Sequence, residues 1–187
     1  MDFDRLDIRV YNWMKNTVYD TIKSHCIYWN IPSVRLVSGA AAWSDHLAVN
    51  LYLEGKVDEL TLHLPAIFNH KYNQFEGEQD GRVANYYHHK FGMKCYMQKD
   101  ATLKEIGAAI DKGAITTTNQ GFFVRNKLVA RDADMMIACT FGERNRLRDG
   151  GTAHTMSLFL AKKPLGFSWH VNLTDEKVYP SATVNKL

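Results

Sequence analysis

The strongest constraint on how this chain can fold is a rhythm. Short, uninterrupted apolar runs alternate with segments of helical periodicity. The runs lie at 34–38, 60–64, 134–140 and 165–171. Strands that are apolar throughout belong to a sheet covered on both faces. Leu6, Val10, Trp13, Met14, Val18, Tyr19 and Ile22 recur at helical spacing, so residues 1–30 are expected to supply an N-terminal helix. Further helices are expected at 43–54, 102–112, 120–131 and 152–161. The helix at 102–112 begins with Thr102 as N-cap and Glu105 as its capping-box partner. Strands alternating with helices predict an α/β fold, a mostly parallel sheet with helices on both faces.

One stretch breaks the rhythm. Between 66 and 98 the periodicity dissolves into Asn, His, Gly, Glu and Asp, and a long loop excursion is expected. Tyr86, Tyr87, His88 and His89 end it, on a short helix. The 187 residues otherwise suit a single domain over 1–187.

Composition narrows the class. At 45% hydrophobic and 23% charged residues the chain reads as globular, which excludes disordered and collagen-like classes. No apolar run approaches the ~18 residues of a membrane span, so no membrane partner is expected. The opening Met-Asp-Phe-Asp-Arg lacks the apolar stretch of an export signal. Cys26, Cys95 and Cys139 show no paired spacing, which fits reduced thiols and a cytoplasmic setting. Cys139, inside an apolar run, is expected in the core. A net charge of +3 is too mild to mark a nucleic-acid protein by itself.

In sheets of this kind ligands bind beyond the carboxyl ends of the strands. Three loops there carry suitable chemistry. Residues 38–45 run Ser-Gly-Ala-Ala-Ala-Trp-Ser-Asp, small enough to let backbone approach a ligand at a helix start. Tight strand–helix packing explains the same residues equally well. Residues 148–155 run Arg-Asp-Gly-Gly-Thr-Ala-His-Thr, a glycine pair and a hydroxyl at another helix start. Neither the Walker loop nor the dinucleotide fingerprint is present. In the third loop Arg125 can clamp a phosphate or carboxylate and Asn126 can donate and accept. The alternatives are solvated helix residues or a buried pair of Arg125 with Asp134.

Taken in order, "VSGAAAWSDHLA", "GFFVRNKLVARDADMMIA" and "DGGTAHTM" resemble the SLOG superfamily. That group of Rossmann-like domains includes the DNA-processing protein A fold and the LOG phosphoribohydrolases. The similarity covers about residues 34 to 171. It implies a Rossmann-like fold, a nucleotide loop, an Arg-Asn helix and a Gly-Gly-Thr phosphate loop. LOG-type hydrolases and the related nucleoside deoxyribosyltransferases carry a catalytic Glu just after the glycine loop. Here Thr155 stands in that place, and no acidic residue lies between Thr152 and Ala161.

The expected function is therefore capture of a nucleotide or nucleotide-derived phosphate ligand, for sensing or sequestration. The expected contacts are Ser38, Gly39, Ala40, Trp43, Asp45, Arg125, Asn126, Asp149, Gly150, Gly151 and Thr152. Tyr86, Tyr87, Phe122 or Trp43 could stack on a base. The alternative is an N-glycosidic hydrolase or transferase using Asp45, Asp149, His154 or Glu143. A second alternative is single-stranded DNA binding along Arg125, Lys127, Arg131, Arg144, Arg146 and Arg148. No cofactor and no metal is implied, because His70 and the adjacent His88 and His89 match no ligand spacing. Assembly as a homo-oligomer is compatible with this reading.

Overall fold

The computed structural model describes residues 3–119, 121–148, 150–164 and 166–180. It is an α/β fold, Rossmann-like in its parallel strands and flanking helices. After a 3-10 turn at Phe3–Arg5, the first long helix α1 runs Ile8–Trp29. The Asp7 side chain caps α1 by accepting from the Val10 amide at 2.8 Å. Asn30 closes it in the left-handed region. Met14, Val18 and Ile22 sit on its buried face.

Strand β1 (Arg35–Ser38) pairs in parallel with β2 (Glu59–Leu64), and β2 pairs in parallel with β5 (Ile115–Thr118). Helix α2 (His46–Leu53) joins the first two. A short hairpin, β3 (Phe68–Asn69) with β4 (Gln74–Phe75), follows β2. Helices α3 (Asp80–Tyr96) and α4 (Ala101–Asp111) lead into β5. Beyond β5 come α5 (Phe122–Asp132), β6 (Met135–Thr140), α6 (Gly151–Lys162), β7 (Phe167–Asn172) and β8 (Lys177–Pro180). β6 and β7 are parallel, and β8 turns back antiparallel on β7.

Helices α1 to α4 pack on one another, and α5 and α6 form a separate pair. α2 and α5 both touch β1 and β2, so the two groups cover opposite faces. The main core gathers α1, α2, α3, α4 and β2 around Met14, Leu51, Leu62, Phe91 and Ile106. A smaller core of Ala130, Ala138, Met156 and Phe159 lies under α5 and α6.

The structure corrects several expectations. The excursion at 66–98 is half helix, because α3 takes 17 of its residues. Thr102 lies inside α4 rather than capping it, and its hydroxyl donates to the His88 carbonyl at 3.2 Å. Glu105 closes no capping box; its carboxylate meets His46 Nε2 at 2.6 Å. Arg125 does not pair with Asp134, which holds Lys163 at 2.8 Å instead. Cys139 is buried, as expected, and burial pushes its thiol pKa upward. The strands do not form one sheet. Among the described residues β1 bonds only to β2 and β6 only to β7, leaving two three-stranded sheets.

Candidate functional site

The loops leaving β1 and β6 meet at one cavity of about 1020 Å³. Ser38, Gly39, Trp43, Asp45, Arg125, Asn126, Gly150, Gly151 and Thr152 all line it. Three segments far apart in sequence are thus brought to one place.

The first loop is held by Ser38. Its hydroxyl donates to the Asp45 carbonyl at 2.9 Å and accepts from the Ala40 amide at 3.1 Å. Ala40 itself does not line the cavity, which corrects its expected role. Its amide is taken by Ser38, and its carbonyl accepts from His88 Nε2 at 3.0 Å. Burial holds the His88 pKa down to about 3, with the neighbouring His46 acting in the same direction. Trp43 reaches the cavity wall from the core, its ring 5.5 Å from that of Tyr11 and 5.6 Å from that of Phe91.

The second segment carries the central cation. Arg125 is only 7% exposed. Its Nε and Nη2 donate to Asn126 Oδ1 at 3.3 and 3.0 Å, and the guanidinium lies 5.2 Å from the Phe122 ring centre. Its Nη1 is buried with no hydrogen-bond partner. Among the described residues no carboxylate stands within 4.0 Å of it. Burial pushes the Arg125 pKa down, and the Asp45 charge opposes that shift. Gly39 is small for a reason. A Cβ there would sit 2.6 Å from Arg125 Nε and 2.9 Å from Asp45 Oδ2.

The third segment is the start of α6. Gly150, at φ 139°, and Gly151 open the helix, and the N-cap residue Gly150 supplies no side-chain cap. Asn126 Nδ2 reaches the Gly151 carbonyl at 3.5 Å and His154 Nδ1 at 3.4 Å, tying α5 to α6. A Cβ at Gly151 would meet only Asn126 Nδ2, at 3.9 Å.

Other expected residues stand elsewhere. Glu143 and His154 do not line the cavity. Glu143 lies in a tight turn, its amide donating to the Arg146 carbonyl at 3.1 Å. The His154 ring stands edge-on to Phe123 at 5.3 Å. Asp149 lies outside the described residues. Thr155 lines the cavity, yet its hydroxyl donates to the Gly151 carbonyl at 2.9 Å. Tyr87 lines it and Tyr86 does not. Of the rim arginines, Arg148 lines the cavity while Arg131 is engaged with Asp132 at 2.6 Å. Among the described residues no three His, Cys, Asp or Glu side chains gather to hold a metal, and no helix is long and apolar enough to cross a membrane.

Sequence reasoning missed the body of the cavity. Every residue of β1 and of β6 lines it. Runs such as Leu36-Val37 and Met135-Met136-Ile137 carry only the signal of buried strands, and nothing in their pattern marks an open edge.

The fold and site define an α/β protein with a glycine-lined cavity that holds a buried arginine at the carboxyl ends of two parallel strand sets. The chain belongs to the same family as an uncharacterized protein of Acanthamoeba polyphaga mimivirus. The two are 32% identical over 155 residues, covering 83% of this chain and 81% of that one. No protein-family profile matches the chain, and no solved structure matches it significantly.

Proposed function

We propose that this protein binds a nucleotide or nucleotide-derived phosphate ligand in the cavity, for sensing or sequestration. The observation that carries the reading is Arg125, a buried arginine that lines the cavity and whose Nη1 has no hydrogen-bond partner. A buried cation is costly where, among the described residues, its one electrostatic partner of opposite charge, Asp45, stands beyond ion-pair distance, and a bound anion lowers that cost. The open first turn of α6 adds backbone amides and the positive end of a helix dipole. The order of the three loops, similar to that of the SLOG superfamily, favours a nucleotide over a bare anion.

Turnover has little support. The place after the glycine pair holds Thr155, whose hydroxyl is engaged by the Gly151 carbonyl. An engaged hydroxyl without an adjacent base is a poor nucleophile. One observation favours the second reading, an N-glycosidic hydrolase: the Asp45 carboxylate also faces the cavity, close to Gly39. The experiment is long incubation with adenosine monophosphate followed by mass spectrometry. Intact ligand is expected, both bound and free. Release of free adenine that stops in Asp45→Asn would establish the hydrolase instead. Single-stranded DNA binding would show as affinity that falls steeply with salt.

A further inference from the structure

The cavity is larger than a phosphate needs and has an unusual construction. Pockets that bury a whole drug-sized ligand span roughly 300–1,000 Å³, and this one is about 1020 Å³. It continues from Arg125 down the space between β1 and β6. Few Cα atoms of these strands come within 8 Å of each other, whereas paired strands lie ~4.8 Å apart. Apart from β2 and β7, no strand pairs with β1 or β6 among the described residues. The long walls of the slot are thus two strand edges with unpaired N–H and C=O groups. Its other two walls are mixed: Val18, Ile22, Cys26 and His25 of α1 on one side, and Val129 of α5 with Arg125, Asn126 and Asp132 on the other.

Polar strand edges between faces that offer Val18, Ile22 and Val129 for packing fit one class of chemical group. We propose that the slot holds a planar heteroaromatic ring of the nucleobase kind, lying edge-on between β1 and β6. Its ring nitrogens and exocyclic groups hydrogen-bond the β1 and β6 edges, and its two faces pack on the side chains of α1 and α5. An aliphatic tail would leave both strand edges unsatisfied, and an inorganic anion would leave the slot empty. The inference rests on the phosphate reading of Arg125 and names the second half of that ligand.

Calorimetry with ribose 5-phosphate, adenosine monophosphate and uridine monophosphate separates the two ideas. At least one nucleotide is expected to bind ~10-fold or more tighter than ribose 5-phosphate, the worth of one or two neutral hydrogen bonds. With that nucleotide, amide hydrogen exchange should slow along both 35–38 and 135–140; with ribose 5-phosphate it should not. Ile137→Trp, filling the slot, should lower nucleotide affinity to the ribose 5-phosphate level and leave the latter unchanged. Equal affinity for all three ligands overturns the slot proposal but keeps the phosphate site. So does tighter nucleotide binding without slowed exchange at both edges. If ribose 5-phosphate and both nucleotides fail to bind, the phosphate reading falls and the slot proposal with it. The exchange measurement uses the native chain, so the test does not depend on the variant folding.

Discussion

At the scale of single residues, Arg125 separates function from stability. A side chain kept for packing loses stability on truncation, whereas an unpaired buried charge works against the free protein. Arg125→Met should weaken binding of a phosphate ligand by about 1.5–3 kcal/mol, the range for a hydrogen bond to a charged group. The same variant should melt at an equal or higher temperature. Calorimetry and a thermal melt check both, and a lower melting temperature with unchanged affinity would mark Arg125 as structural. His88 makes the opposite kind of statement. Its pKa is held down to about 3, so the unfolded chain binds a proton between pH ~6.5 and 3 that the folded chain does not. Stability should be full above pH ~6.5 and fall with acidification, His88 contributing up to about 1.4 kcal/mol per pH unit. Burial lowers His63 and His170 as well, so their loss of stability adds in the upper part of this window. Urea titrations from pH 7 to 4 should give a shallower pH slope for His88→Gln. An unchanged slope would show that His88 does not titrate across folding.

At the scale of elements, legibility follows who supplies the apolar face. α1 carries its period on Val10, Met14, Val18 and Ile22, which stand out in sequence. α3 carries its buried face on Gly81, Ala84, His88, Phe91, Gly92 and Cys95. The spacing is helical, but glycine, alanine and histidine do not announce a core face, so 66–98 reads as loop. β5 is Ile-Thr-Thr-Thr with every side chain exposed, and β8 is a short, largely exposed edge strand, Lys-Val-Tyr-Pro; neither has the longer apolar run that marks β2 and β6. The three loops of the site were legible because small residues, a helix-start hydroxyl and an arginine are local signals. The separation of β1 from β6 was not, since it depends on long-range packing rather than on either strand's composition. α3 provides a direct check of its own packing. A Cβ at Gly81 would lie 1.9 Å from the Glu76 carbonyl oxygen, and backbone there cannot give way as a side chain would. Gly81→Val should therefore cost about 1–3 kcal/mol in overpacking, read as a lower urea midpoint. A midpoint matching the parent chain would show that α3 is loosely docked.

At the scale of the whole molecule, the two sheets are not independent. The main core includes Cys139 of β6 and Val171 of β7 beside Leu60 and Leu62 of β2, so both sheets share apolar packing. What divides them is the cavity, and the proposed ligand site draws on both sides of it: Gly39 follows β1, and Gly150 and Gly151 follow β6. A ligand held by both loops stabilises only the arrangement in which they face each other, and an unfolded chain offers it nothing comparable. Linkage then fixes the size of the effect: at a hundredfold excess over Kd the folded state gains about 2.7 kcal/mol. For a chain of this length that corresponds to a rise of roughly 5–11 °C in melting temperature. The rise should be a shift of one cooperative transition, because the shared core couples the sheets. Arg125→Met should lose the shift at the same ligand concentration while retaining the single transition. Two separate transitions, only one of them moved by ligand, would show instead that the β1 and β6 halves unfold independently and that the ligand belongs to one of them.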